Sequence, residues 1–207
     1  MKIIIQPYTE KWVNDFTEEK SKLEETLKGM HAVVEHIGST SVPGLGAKPI
    51  IDILIGLQSG NDLDKVITPM QQSGYTYFRK YEPMMPYRRL FIKLEPLPHK
   101  MPPAIVDIGE EFVTGKDFRA MANIHILVKD TPHWDRHIAF RDFLRAHPDT
   151  RDAYYALKKE LSVKEFRDTL EYNQAKDAFV KEVEQRALNW YYNPYTSGYR
   201  NDNVSIS

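Results

Sequence analysis

His36-Ile37-Gly38-Ser39-Thr40-Ser41-Val42-Pro43-Gly44-Leu45-Gly46-Ala47-Lys48-Pro49-Ile50-Ile51-Asp52-Ile53-Leu54-Ile55 is the stretch on which the fold turns. A β-like run reaches a Gly-Ser turn, a glycine-rich loop follows, and an apolar strand then carries one acid among isoleucines. A carboxylate in such surroundings is unfavourable unless it meets a cation or strong donors. Asp52 is therefore expected at the edge of a cleft, with partnership to a buried arginine or to loop amides as the structural alternative. Gly38, Gly44 and Gly46 allow the backbone to approach a ligand. Gly38, Ser39 and Thr40 are candidate phosphate-binding residues through backbone and hydroxyl donors. The plainer reading is a tight turn whose serine bonds its own backbone.

Working outward, Thr9 can cap a helix running to about Lys28, stopped by Gly29. His31 to Ile37 and Ile50 to Leu57 read as strands, so the glycine loop joins two neighbours. Asn61 or Asp62 is expected to cap a helix through Met70, kinked at Pro69 and ended by Gly74. Tyr75 to Lys80, Arg88 to Leu94 and Asn123 to Lys129 complete the expected strands. Between them, residues 95–122 hold Pro96, Pro98, Pro102 and Pro103 and read as an excursion with a short strand at Ala104 to Ile108. Thr131-Pro132 is a helix start that leads from Trp134 to Ala146. Two more helices, Asp149 to Leu161 and Asp168 to Trp190, follow it. The expected fold class is α/β (α+β), a mixed sheet flanked by helices. Residues 1–130 form its core, 131–192 a helical C-terminal part packing on that core, and 193–207 a mobile tail.

Composition narrows the function. The 207 residues are 42% hydrophobic and 28% charged with a formal net charge of -1, so no general field draws the chain to nucleic acid. Duplex binding is not expected, since neither a basic stripe nor a reading helix stands out. The chain has no cysteine, which removes disulfides, thiolate nucleophiles and Cys-based zinc sites. Three consecutive isoleucines near Met1 are far short of a signal-peptide core or a membrane span. A soluble, cytoplasmic protein without a membrane partner is the expectation.

The quoted stretch, with Phe140-Arg141-Asp142-Phe143-Leu144-Arg145-Ala146-His147-Pro148, then Tyr154 with Lys158 and Tyr172 with Lys176, closely resembles the GrpB-like family. The resemblance covers most of residues 3–190. That family is grouped with the polymerase-β-type nucleotidyltransferase superfamily, so the resemblance implies a nucleotidyltransferase-like fold. It also implies a nucleoside triphosphate or similar phosphorylated small molecule as ligand, with possible nucleotidyl transfer to a small acceptor. In-line transfer uses two divalent ions held by carboxylates, commonly two acids spaced by one residue on a strand. This chain departs from that pattern. With Asp52 as the first acid the second position is Leu54, and with Asp52 as the second the first is Ile50.

A third acid would fall near Ile124-His125-Ile126, where His125 supplies imidazole. Asp52 and His125 are the candidate catalytic residues and Asp52 the candidate metal ligand. The divalent cofactor is expected to be Mg²⁺ or Mn²⁺; a site of Asp52 and His125 would bind Mg²⁺ weakly and favour a softer ion such as Mn²⁺ or Zn²⁺. A satisfied core histidine is the bland reading of His125. A non-catalytic nucleotide-binding or regulatory module with a degenerate metal site is the alternative function.

The remaining candidates are cations and one aromatic residue. Lys48 precedes a proline in the loop. Arg88 and Arg89 are adjacent on a strand, so only one reaches a given face, and Arg89 is placed at the ligand. Arg141 with Arg145, Tyr154 with Lys158, and Tyr172 with Lys176 are each four apart on helices. The expectation is that Arg141, Arg145 and Lys176 close over a polyphosphate while Tyr172 stacks on a base. Solvated faces with local partners such as Asp142 are the alternative. Asp107 falls in the excursion, and His133 and His137 are four apart without a following Glu, so neither supplies an expected ligand set.

Overall fold

Alternation along Ile51–Leu57 organises the molecule. Ile51, Ile53, Ile55 and Leu57 enter one apolar core, whereas Asp52, Leu54 and Gly56 point to the opposite face. The computed structural model describes residues 2–112 and 118–193. Within them a five-stranded mixed sheet runs in the order β1-β2-β5-β4-β3, formed by β1 (Val33–Ile37), β2 (Ile51–Leu57), β3 (Thr76–Tyr77), β4 (Arg88–Leu94) and β5 (Ala120–Val128). β2 and β5 pair in parallel, and the other neighbours are antiparallel. The glycine loop joins β1 to its neighbour β2, as expected from the sequence.

Six α-helices among the described residues complete the α+β fold: α1 (Lys11–Thr26), α2 (Ile67–Gln72), α3 (Pro132–Ala146), α4 (Pro148–Ser162), α5 (Thr169–Ala175) and α6 (Asp177–Tyr192). Trp12 and Leu23 of α1 join the core on the Ile53 face of the sheet. On the Asp52 face, Trp134 and Ile138 of α3 pack on Ile37, Leu54 and Leu127. The Thr131 hydroxyl accepts from the Trp134 amide at 3.4 Å and Pro132 occupies the first turn, which fixes where α3 begins. Val42 and Leu45 of the loop share a core with Ala139, Phe143 and Leu144 of α3, Tyr154 of α4 and Val183 of α6.

Several boundaries differ from those expected: Glu10 rather than Thr9 precedes α1, Ser59 rather than Asn61 or Asp62 caps a separate 3-10 turn ahead of α2, and the strand expected over Tyr75 to Lys80 is only Thr76–Tyr77. Pro69 does not kink α2, because it is the third residue of a six-residue helix, where the amide has no intrahelical partner to lose. The helix expected over Asp168 to Trp190 divides at Lys176, which ends α5 and precedes α6. The short strand expected at Ala104 to Ile108 is an isolated parallel bridge from Ile105 to Tyr77. Residues 194–207 of the expected tail lie outside the described residues.

Candidate functional site

Gly38 starts the site. Its φ of 68° is one that L side chains rarely adopt. A Cβ there would stand 2.4 Å from Asp52 Oδ2, so only glycine lets the turn lie against the carboxylate. Residues Ser39–Ser41 then form a single 3-10 turn, closed by Ser41 Oγ donating to the Gly38 carbonyl at 2.7 Å. Thr40 Oγ1 lies 3.0 Å from His36 Nε2, and the His36 ring stacks on Phe16. Burial and the neighbouring Arg145 and Arg141 lower the His36 pKa to about 4, so this imidazole is neutral at pH 7.

The turn faces a cavity of about 460 Å³ between the open end of the sheet and α3 to α6. Asp52 and His125 line it, with Asn123 between them in register. In the parallel pairing Asn123 lies opposite Asp52 and His125 opposite Leu54. The residue in contact with Asp52 is consequently Asn123, whose Nδ2 donates to Asp52 Oδ1 at 2.8 Å. Burial raises the Asp52 pKa, opposed by the Asn123 hydrogen bond and by Lys48, Lys176 and Lys158. His125 Nδ1 lies 3.1 Å from Arg88 Nη1. Guanidinium only donates, so Nδ1 accepts and the neutral ring carries its proton on Nε2. Burial, then Arg88 and His137, hold the His125 pKa well below the ordinary histidine value.

Three lysines enter from three elements. Lys158 of α4 donates to Ser39 Oγ at 2.9 Å, and its ammonium lies 4.5 Å from the Tyr154 ring centroid. Lys176, at the α5/α6 break, donates to Tyr154 Oη at 3.3 Å. Lys48 stands 5.3 Å, and Lys176 5.5 Å, from the centroid of Tyr172. Burial lowers all three pKa values, with Lys176 an added cause for Lys48 and Lys158; Lys158 falls to about 7. Among the described residues, none of the three has a carboxylate within ion-pair distance. The Tyr172 hydroxyl is buried without a hydrogen-bond partner.

The structure thus brings together Gly38, Ser39, Thr40, Lys48, Asp52, His125, Tyr172 and Lys176 of the expected set. It does not bring Arg89, Arg141 or Arg145 to them. Arg89 points to the opposite face of β4, where it donates to Asp64 at 2.7 Å and to the Pro86 carbonyl. Arg88 is the arginine on the cavity face. Arg141 bonds Glu35, Asp142 and the His36 carbonyl, and Arg145 donates twice to the Ser41 carbonyl. On α3 it is His137 and Phe140 that line the cavity, and the neighbouring stripe of Arg141 and Arg145 braces the outside of the turn. Tyr172 serves as a platform for two lysines.

Asp107, in the excursion, pairs with Arg79. His133 stacks on Tyr87 and His137 lies near His125, and no metal-holding group of three acidic, His or Cys residues occurs among the described residues. Lys158 and Asn123 are missing from the sequence-derived set. The repeated Tyr-x-x-x-Lys spacing at 154/158 and 172/176 was the signal for the first, whereas the second required the strand register.

A family model described as GrpB protein matches residues 2–186. UPF0157 protein YqkA of Bacillus subtilis is 34% identical over 205 residues, covering 99% of this chain and 51% of that protein. The chain therefore spans about half the length of that relative. A protein of Mycolicibacterium paratuberculosis named dephospho-CoA kinase is 28% identical over 169 residues, which is 80% of this chain and 41% of that protein. The crystal structure of conserved protein GrpB from Enterococcus faecalis is similar with a TM-score of 0.73 at 33% identity, covering 92% of this chain and 100% of that one. With the family model matched over nearly its whole length and the fold shared with a solved member, the chain belongs to the GrpB family.

Proposed function

We propose that the cavity binds the phosphate groups of a nucleotide or comparable phosphorylated small molecule, with lysines in place of a divalent ion as the neutralising charges. The observation that carries this reading is that Lys48, Lys158 and Lys176 line one cavity with the Ser39 turn, and that none of them has a carboxylate at ion-pair distance among the described residues, Asp52 acting on them only from further away. Buried ammonium groups are unfavourable unless compensated, and an anionic guest supplies the compensation. The unpartnered Tyr172 hydroxyl is a further donor for it. A relative named as a kinase is in keeping with such a ligand.

The donor set argues against a tightly held Mg²⁺ at Asp52. Asp52, Asn123 and His125 offer one carboxylate, one amide and one imidazole, whereas Mg²⁺ prefers hard oxygen ligands in octahedral array. The ammonium groups of Lys48 and Lys176 repel a divalent cation as well. Nucleotidyl transfer to a small acceptor is the second reading, favoured by Asp52 lying against the Gly-Ser turn.

A thermal-shift series with nucleoside triphosphates, pyrophosphate and phosphate tests the binding, each with chelator or with Mg²⁺. We expect stabilisation in chelator, lost when Lys158 and Lys176 are both replaced by Met. Stabilisation that appears only with Mg²⁺, or none from any anion, overturns the reading. Release of pyrophosphate from triphosphate, abolished by Asp52→Asn, would establish transfer.

A further inference from the structure

We propose that Lys158 is a carbonyl-reactive amine: a phosphate-bearing aldehyde or ketone, seated in the cavity, forms an imine with Lys158 Nζ. The inference rests on the phosphate-binding reading above and adds a covalent step to it. Lys158 is 2% exposed, yet it lines the cavity and aims its nitrogen at the Ser39 hydroxyl, 2.9 Å away. Lys48 and Lys176 share the enclosure. An amine among other cations in an apolar site gives up its proton more readily, which makes it a nucleophile near neutral pH. Its pKa of about 7 agrees with that placement.

The acid needed for such a reaction is on the same turn. Asp52 Oδ2 abuts Gly38 and Lys158 Nζ bonds the next residue, so carboxyl and amine flank one two-residue corner. Burial favours the protonated form of Asp52 more than in an ordinary aspartate. The neutral amine attacks the carbonyl carbon; the C–N bond forms, and the former carbonyl oxygen takes a proton as nitrogen loses one. The C–O bond of this carbinolamine then breaks as Asp52 protonates the departing oxygen, the nitrogen lone pair forms C=N, and the iminium N–H returns its proton to the Asp52 carboxylate. One amine and one carbonyl compound give one imine and one water, with no oxidant or reductant. Lys48 and Lys176 hold the phosphate of the same molecule.

Pyridoxal 5′-phosphate, which joins an aldehyde to a phosphate, is the probe, and pyridoxal is the control without the anion. The intact chain is incubated with either at pH 7.5, the imine is reduced with borohydride, and modified lysines are located by peptide mass spectrometry. We expect Lys158 to be labelled at least 10-fold more than the exposed Lys28 or Lys159 by the phosphate-bearing aldehyde. Added triphosphate should protect it, and pyridoxal should label it weakly. Lys158→Arg, which has no primary amine, should lose the label at this position.

Labelling spread over exposed lysines, or centred on Lys48 or Lys176, overturns the covalent assignment even if the triphosphate shift persists. Equal labelling by pyridoxal with no protection by triphosphate overturns the phosphate-binding reading as well. The wild-type map decides both questions if the variant fails to fold.

Discussion

At the scale of single residues, the site depends on how closely Gly38 approaches Asp52. Alanine at 38 would combine a disfavoured φ with a Cβ 2.4 Å from a carboxylate oxygen. We expect Gly38→Ala to lower unfolding free energy by roughly 1–3 kcal/mol and to abolish the triphosphate-induced thermal shift, as measured by urea denaturation and calorimetry. Lys158 gives a pH signature. Its pKa falls from 10.5 to about 7 on folding, so between those values the unfolded chain binds the extra proton. Stability should therefore rise with pH across this window, by at most about 1.4 kcal/mol per pH unit from this group. Lys158→Met should flatten that slope in denaturation curves taken from pH 7 to 10. A wild type without the slope would refute the burial of this ammonium.

At the scale of elements, the pairing of β2 with β5 determines which side chains meet. Because Asn123 lies opposite Asp52, Asn123→Asp would set two carboxylates side by side. We expect this variant to lose about 1–3 kcal/mol without metal through the lost hydrogen bond and like-charge repulsion. It should gain a Mn²⁺-dependent thermal shift that the wild type lacks. The absence of any Mn²⁺ effect in the variant would argue that the two side chains do not share the cavity.

Much of this level was legible in the sequence. The glycine loop between neighbouring strands, the Thr131-Pro132 start of α3 and the apolar β2 all follow from local rules, and all are present. What was not legible depended on rotation and register. Arg141 and Arg145 do share a face of α3 as their spacing requires, but only tertiary packing determined that this face grips Glu35 and the Ser41 carbonyl. Arg89 and Arg88 alternate as strand neighbours must, and which of the two met His125 was fixed by pairing with β5. Asn123 carries no motif of its own and joins the candidate site only by lying opposite Asp52.

At the scale of the whole molecule, the sheet separates two chemistries. One face is closed by α1 over an apolar core, and the other opens into a cavity holding lysines and neutral histidines. Burial first, and neighbouring arginines second, bring His36 to about 4 and His137 to about 3, and His125 moves the same way. Below pH 6.5 the unfolded chain takes up protons that the folded one refuses, so stability should fall steadily from pH 6.5 toward pH 4. Each histidine contributes at most about 1.4 kcal/mol per pH unit. Urea denaturation at intervals across this range checks it, and His36→Gln with His137→Gln should flatten the decline if the variants remain folded. No helix among the described residues is long and apolar enough to cross a membrane.

The charge character of the cavity is the central claim, and calorimetric titration of a nucleoside triphosphate into the protein tests it most directly. The titration is run at pH 7.5 in chelator, in two buffers of different ionisation enthalpy. The account predicts binding without divalent metal and a net uptake of protons, because bound phosphate restores charge to Lys158. Binding that requires Mg²⁺, or that proceeds with no proton uptake, would contradict it.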